Sequence, residues 1–511
     1  MMSKPKLMNF DRNFDDLAGK LVGLGFLVVS LLVFLYVLFI DFIPSVFGGY
    51  ADQRVLLCFL LVFLPAACLL ILTYKSGVSY ILRDLMPLYV LMSAFFIGAF
   101  LFSETPFSLI ESGLYVLYFL CFVLFGRTIL VVGSISFCLD VFFIIAFFAC
   151  FFYGAMTITV YFFAITDNFA KIDDVIPWGF VNIRYWSHVA TWLLPLFPLF
   201  LSVDKLKGNK LWRIGVESTA AIWWWILLLS SSRGSILGIV FSCVIVWLFM
   251  GKATLPWLKS LLRFAFWGML AWLVLSVLIP SIVFDEIQVR GIKSASSGRW
   301  PLWQEAWAMS LQNFPFGMGS QAWLWHDTIT DTYKAAPKFG HPHNMYLMWA
   351  AEYGWLSIMG LGVLCAFAFR NLLPKFSLTR AGLNPDGSVL IAFLASVSAA
   401  LFHAGVSAVF LAPGSMLIGL LILSLFWAIS LPNENRSERN GLDVRFPGYG
   451  LLLVLAFLVF SGSWFLDVLG YEKAMERDWI TYQKNSSNRP LPRFWFHGNF
   501  PRHASPAFPE R

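Results

Sequence analysis

The sequence predicts an all-α fold: a polytopic membrane helix bundle with about 12–13 transmembrane helices and one large periplasmic loop. Three observations predict it. Of 511 residues, 59% are hydrophobic and only 13% charged, with a mean hydropathy of +0.74, whereas a soluble domain has roughly a quarter of its residues charged. Apolar runs of spanning length, about 20 residues, recur along most of the chain. These runs show no period-two alternation, so helices rather than a lipid-facing barrel must satisfy their backbone groups.

In order, the apolar runs fall near 21–43, 54–74, 85–103, 107–126, 134–163, 187–203, 214–230, 234–250, 262–283, 345–369, 387–412, 414–431 and 447–464. The run 134–163 is overlong, the pair flanking Arg233 is short, and the block 387–431 can be divided in more than one way. Lys4, Lys6, Arg12 and Lys20 precede the first run, which is too long for a signal peptide and has no small-residue cleavage site. It is expected to be the first anchor. The 53 Phe and 22 Trp suit lipid-facing and interfacial surfaces.

Charge then orients the bundle. Alternate loops carry Lys75 and Arg83; Arg127; Lys205, Lys207, Lys210 and Arg213; Lys252, Lys259 and Arg263; Arg370, Lys375 and Arg380; and Arg436, Arg439 and Arg445. The positive-inside rule makes that side cytoplasmic. The other side holds Asp41, Asp52, Glu104, Glu111, Asp167, Asp173, Asp174 and a polar island at 284–344. The expected organisation is N-terminal spans over 1–283, the large loop over 284–344, C-terminal spans over 345–464 and an outer tail over 465–511. That tail starts as a short helix and turns Pro-rich.

Several function classes are disfavoured. The net charge of +7 is spread over short loops with no continuous basic stripe, which argues against nucleic acid. All seven cysteines lie in apolar runs without a Cys-x-x-Cys pair and read as inert small hydrophobes. No serine elbow, phosphate-binding Gly-Lys loop or Asp-x-Asp pair occurs, and Trp223-Trp224-Trp225 is not followed by Asp. A transporter should place charges near the bilayer midplane, where only Asp140 and His403 are expected to be buried.

The chemistry concentrates at the outer ends of the spans. Arg233 lies between two runs in Ser231-Ser232-Arg233-Gly234, against the charge bias, where an unpaired arginine is costly. Arg184 stands at another helix mouth, in Asn182-Ile183-Arg184-Tyr185-Trp186-Ser187-His188, and Arg299 follows Ser296-Ser297-Gly298 in the island, which also carries Arg290 and Lys293. Planar guanidinium forks suit phosphate oxygens, so three of them reaching one face suggest a diphosphate clamp; each alone could equally be a surface charge. Trp300, Trp303 and Trp307 recur at i, i+3 and i+7 beside Leu302 and Ala306, which suggests an interfacial cover or a helix packed on the bundle. Phe314-Pro315-Phe316-Gly317-Met318-Gly319 should end that helix in a turn.

His341-Pro342-His343-Asn344 closes the island. No third ligand at matching spacing follows for a metal, and Glu352 lies too far along for a His-Glu-x-x-His site. A neutral imidazole acting as general base fits better, with His343 the preferred base, His341 its support and a plain helix cap the bland alternative.

Taken together, Ser232-Arg233-Gly234, Gly298-Arg299-Trp300-Pro301-Leu302-Trp303-Gln304-Glu305-Ala306, Phe314 to Gly319, and His341 to Leu347 with Glu352-Tyr353-Gly354 form an ordered set around one loop. The chain thereby resembles the O-antigen ligase and polymerase superfamily, which includes bacterial O-linked oligosaccharyltransferases, over about 215–370. The resemblance implies an inner-membrane enzyme, active on the periplasmic side, that passes a glycan en bloc from undecaprenyl diphosphate to an acceptor hydroxyl. It would need no cofactor, no metal and no nucleotide sugar. Carried over, Arg184, Arg233 and Arg299 grip the diphosphate and His343 deprotonates the acceptor, with inversion at the anomeric carbon. His341, Asn344, Trp300 and Trp303 complete the substrate site.

The pattern does not account for the tail or for His403. The acceptor is lipid A–core for a ligase, another repeat unit for a polymerase, or a protein Ser/Thr for an oligosaccharyltransferase. Size, the single dominant loop and the modest tail favour the first two, ligase ahead. The reading from another class is a lipid-linked-glycan flippase or transporter. Membrane lipids surround the chain in every case, and the oligomeric state is open.

Overall fold

The structure is a computed structural model that describes residues 6–46, 49–102, 108–169, 171–181, 183–203, 206, 208–284, 298–337, 339–432 and 447–485. Arg290, Lys293, Ser296 and Ser297 of the island lie outside the described residues. So do Asn182, Lys4, Glu104, Lys205, Lys207, the basic loop with Arg436, Arg439 and Arg445, and the tail beyond 485.

Among the described residues the regular structure is helical. It begins with α1 (Lys6–Leu38), α2 (Gly49–Ser76), α3 (Val78–Leu85), α4 (Tyr89–Phe102), α5 (Ser108–Val131) and α6 (Ile135–Thr166). There follow α7 (Ile183–Leu193), α8 (Phe197–Phe200), α9 (Lys210–Leu229), α10 (Arg233–Met250), α11 (Leu255–Trp272) and α12 (Ile279–Phe284). The loop contributes α13 (Arg299–Gln312) and α14 (Asp331–Lys334). The chain ends in α15 (Met345–Tyr353), α16 (Trp355–Arg380), α17 (Gly387–Ala404), α18 (Pro413–Ser430) and α19 (Pro447–Asn485). No strand occurs among the described residues.

Ten helical segments among the described residues are long and apolar enough to cross a membrane. One of them, Arg233–Phe284, has 52 residues and contains two of the expected runs, separated by a 3-10 turn at Gly251–Thr254. Some expected runs divide differently from the sequence reading, for identifiable reasons. The run 187–203 breaks into α7, a 3-10 turn at Leu194–Leu196 and α8, where Pro195 and Pro198 remove backbone donors. The run 345–369 is cut at Gly354, whose φ of 81° ends α15 before α16 starts. The block 387–431 divides between α17 and α18, and the overlong 134–163 is one helix of 32 residues. The last apolar run continues without a break through the start of the tail, as α19. Asp140 is exposed rather than buried, because it lies on the outward face near the start of α6.

Helices α5 and α18 form the centre, with Tyr118 of α5 donating its hydroxyl to the Met416 carbonyl at 3.1 Å. Phe95 of α4 packs on Tyr115, Trp349 and Tyr353 with ring centroids 4.9–5.7 Å apart, which joins α4, α5 and α15 in one aromatic core. Glycines let the layers approach closely. A Cβ on Gly238 of α10 would come within 2.7 Å of the Ala399 carbonyl oxygen, so this pair of helices packs backbone to backbone.

At one end of the bundle the basic residues find partners across alternate helices. Arg127 pairs with Asp84 at 2.7 Å and Arg263 with Glu217 at 3.1 Å, while Lys375 donates to the last carbonyls of α18, at Ile429 and at Leu431. The starts of α2, α7, α10 and α18 and the end of α17 meet at the opposite end.

Candidate functional site

Three short segments build the polar end of the bundle. The first is the mouth of α7, with Arg184 exposed and Tyr185, Ser187, His188 and Thr191 turned inward. The second is the start of α10. Ser231 there adopts φ 51°, the left-handed region that L residues other than Gly, Asn and Asp rarely visit, and the chain turns to present Arg233 at the first helical position. The third is His341–Asn344, leading into α15. His343 is left-handed as well (φ 56°), so both the arginine turn and the histidine turn carry local strain of about 1–2 kcal/mol that their surroundings must hold.

A hydroxyl–imidazole network staples the first two segments to α17. Ser232 Oγ bonds Ser187 Oγ at 3.0 Å and Ser235 Oγ at 2.9 Å, and Ser235 donates to the Ser187 carbonyl at 3.1 Å. Thr191 donates its hydroxyl to the Ser187 carbonyl at 2.8 Å and meets His403 Nδ1 at 2.9 Å. Since the Thr191 proton is already committed, His403 carries its own proton on Nδ1. His188 Nε2 meets Ser407 Oγ at 2.8 Å, and the His188 and His403 rings cross at 5.0 Å. Gly234 makes room for this: a Cβ there would lie 2.8 Å from His403 Nε2. His403 therefore lies deep in the polar cluster rather than against lipid.

His341 and His343 are each 6% exposed, with ring centroids 4.3 Å apart. The main-chain N–H of His343 donates to His341 Nδ1 at 3.1 Å, and Phe339 packs on the His343 ring at 5.2 Å. His343 Nδ1 is buried without a hydrogen-bond partner. Burial first, then the charges of Arg184 and Arg299 and the neighbouring His188, hold its pKa down to about 3. Arg299 is lowered from its ordinary value by burial and then by the charges of Arg184 and Arg233. Arg184 and Arg233 thus both lie within electrostatic reach of Arg299, and His343 lies within reach of Arg184 and Arg299. Asn344 caps α15, its side-chain oxygen accepting the Leu347 N–H at 3.0 Å.

The loop helix α13 buries Leu302, Glu305, Ala306, Met309 and Ser310, while Trp303 is half-buried. Trp300 and Trp307 are 60% and 50% exposed, so the tryptophan stripe runs beside the buried stripe and does not coincide with it. Glu305 is the hub that sequence reasoning missed. Its carboxylate accepts the N–H groups of Ile329 at 2.7 Å and Thr330 at 2.8 Å, the Thr330 hydroxyl, and His326 Nε2 at 3.0 Å. His326 Nδ1 faces the Ala322 carbonyl at 3.1 Å, so both ring nitrogens point at oxygens. Burial pushes the Glu305 carboxyl up, but the Thr330 hydroxyl, the two backbone N–H groups and His326 outweigh it and hold it below its usual range.

This small loop body is clamped to the bundle. Gly319 and Met318 donate backbone N–H groups to Glu352 and Ala351, and Trp323 donates its N–H to the Glu352 carboxylate at 3.1 Å. The Trp323 indole holds the Phe339 carbonyl at 2.8 Å, just before the histidines. Glu352, weighed in the sequence as a metal ligand, thus braces the loop. Among the described residues no group of three His, Cys, Asp or Glu side chains is placed to hold a metal ion.

The sequence did contain a signal for the missed network: Ser187 and Thr191 lie four residues apart around His188 within an apolar run. That is one helix face, with polar atoms needing partners. No spacing rule linked Glu305 to His326 and Thr330, because those contacts cross a loop.

The bundle holds one cavity at this end and a second that runs along it from the opposite end. One of about 410 Å³ is walled by Tyr50 and Tyr185. The other, about 430 Å³ and almost wholly apolar, runs between α10, α16 and α17 past Phe249, Leu361, Leu394 and Leu401 to Trp349.

Fold and site together define a multi-pass membrane helix bundle with a cationic, histidine-bearing end closed by a braced loop. Residues 219–362, from α9 through the loop into α16, match the family model described as O-antigen ligase. No curated protein matches the chain.

Proposed function

We propose that this protein is an inner-membrane glycosyltransferase. It moves a glycan en bloc from undecaprenyl diphosphate to an acceptor hydroxyl, and the acceptor is lipid A–core, as in an O-antigen ligase. The observation that carries the reading is the convergence of Arg184 and Arg233 on Arg299, with Arg184 and Arg299 also acting on a buried, neutral histidine. The family match over 219–362 agrees with it.

In this reading the guanidinium forks hold the diphosphate on the periplasmic side. His343 takes the proton of the acceptor O–H, and the acceptor oxygen attacks the anomeric carbon. The bond from that carbon to the diphosphate oxygen breaks, and the electron pair leaves with undecaprenyl diphosphate, whose charge the arginines stabilise. Attack opposite the leaving group inverts the anomeric configuration. The low basicity of His343 in the free protein comes first from burial and then from the two nearby arginine charges. A bound diphosphate offsets those charges, so donor binding raises the basicity of His343. The apolar cavity between α10, α16 and α17 offers hydrocarbon surroundings to the isoprenoid chain.

A deletion strain tests the assignment. Loss of all long-chain glycan from lipopolysaccharide, with intact polymer left on the carrier, is the expected result. A core bearing a single repeat unit would indicate a polymerase. Normal lipopolysaccharide with an unglycosylated protein would indicate a protein oligosaccharyltransferase. Unlinked glycan held on the cytoplasmic side would indicate a flippase.

A further inference from the structure

The cavity between the start of α2, the turn before α7 and the start of α18 belongs to none of the groups that handle phosphate or protons. We propose that it is a sugar subsite that takes a neutral pyranose ring of a glycan substrate. The proposal rests on the glycosyl-transfer reading and adds to it a place where the carbohydrate is recognised.

Its volume, about 410 Å³, falls in the range of small-ligand sites. Tyr50 and Tyr185 line the cavity, their rings stacked at 5.5 Å with the planes only 8° apart, and the Arg54 guanidinium lies 4.2 Å over the Tyr50 ring. Trp178 stands at the mouth, 43% exposed, and its backbone is held by the Tyr153 hydroxyl, which donates to the Trp178 carbonyl at 3.0 Å. Gln53 is buried in the lining, its amide N–H donating to the Tyr36 carbonyl at 2.9 Å, which orients its oxygen. Asp41 and Asp174 are exposed at the rim.

A pyranose has C–H groups on its faces and hydroxyl donors around its edge. Flat aromatic faces suit the first, and carboxylate and amide oxygens, which accept hydrogen bonds, suit the second. The same set argues against other occupants. Among the described residues lining the cavity there is no lysine or arginine, and two carboxylates would repel a phosphate. The buried Gln53 amide and the two rim carboxylates are equally unsuited to a hydrocarbon chain. Location completes the argument. Tyr185 follows Arg184 directly and its ring lies 5.9 Å from that of His188, so a sugar held here is next to the polar cluster.

The test uses the purified full chain in detergent with three probes: methyl β-glucoside, methyl β-galactoside and methyl N-acetyl-β-glucosaminide. Saturation-transfer NMR should show magnetisation passing from protein aromatic protons to the ring C–H protons of at least one probe. Trp178→Ala, and separately Asp41→Asn with Asp174→Asn, should reduce that transfer by at least about five-fold. These side chains are exposed, so folding should survive, and the elution profile checks it. Inorganic pyrophosphate should not displace the glycoside. Absence of transfer to all three probes, undiminished transfer in the variants, or displacement by pyrophosphate would overturn the proposal.

A transfer assay then assigns the sugar. Trp178→Ala should raise KM for the lipid-linked donor if the donor glycan occupies the cavity, or KM for the acceptor if the acceptor does; an unchanged KM for both overturns the proposal. His343→Ala separates the two claims. It should bind glycosides normally while losing transfer, so retained transfer would count against the base and not against the subsite.

Discussion

The main-chain N–H of His343 donates to Nδ1 of His341 across 3.1 Å, in a backbone turn whose φ of 56° few residues other than glycine adopt. The bond makes His341 Nδ1 an acceptor, so in its neutral form His341 carries its proton on Nε2. It also holds the His343 ring buried, close to Arg184 and Arg299, where a proton on that ring is disfavoured.

Removal of His343 is the first prediction. His343→Ala should lower glycan transfer by at least about 100-fold, the usual contribution of a general base. The protein should still elute from size exclusion as the wild type does. Transfer near the wild-type rate would sink the base assignment.

Acid sensitivity follows from the same residue. An unfolded histidine titrates near about 6.5, whereas folded His343 is held down to about 3. Between those values the unfolded chain binds a proton that the folded chain does not, so stability is full above the upper value and falls as pH drops towards the lower. Thermal unfolding in detergent across that window should show the slope, and His343→Gln should flatten it. An identical slope in the variant would assign the acid sensitivity to other groups.

Charge alone should not replace the arginines. Arg233→Lys and Arg299→Lys keep the positive charge but lose the planar two-pronged donor, so each should cut turnover by about 100-fold. Both variants are measured against a fixed lipid-linked donor. Near-normal turnover in both would count against a diphosphate clamp.

Glu305→Gln tests the brace. The amide, with one accepting oxygen in place of two, cannot satisfy His326 together with three donors, and removing the charged partner from a buried hub costs about 3 kcal/mol. Hydrogen exchange should rise over residues 299–334 while the bundle helices stay protected. Because the carboxyl is held below its usual range, the wild-type loop should loosen in the same way only as pH falls through the lowered pKa, where Glu305 takes up a proton. Unchanged exchange in the variant would mean that Glu305 does not hold the loop.

Chelation should leave the reaction intact. Transfer measured with EDTA is expected to equal transfer without it, since the proposed route places its charge stabilisation on guanidinium groups. Inhibition that added divalent cation reverses would reopen a metal-assisted route.

Much of this was legible in the sequence because lipid is an unforgiving solvent. Apolar runs of spanning length can only be helices there, so the all-α class and most of the segments followed from hydropathy alone. Arg184, Arg233, Arg299 and His343 stood out because polar groups at span ends are costly without a purpose. Breaks inside runs were harder to place. Pro195 and Pro198 lie in a run that still reads as apolar, and the break at Gly354 arises where the Phe314–Gly319 turn packs too closely for any Cβ.

The sequence by itself determined the all-α membrane class, the polar loop and the candidate residues for chemistry, because solvation energy depends on composition along the chain. Only the tertiary structure decided which of those residues meet. It brought Arg184 of α7 and Arg299 of α13 to His343 and Arg233 of α10 to Arg299, hid His403 in a hydroxyl network, turned Asp140 outward and made Glu305 the hub of the loop. Such pairings join positions far apart in the chain, and buried polar atoms select them by the partners that packing brings within reach.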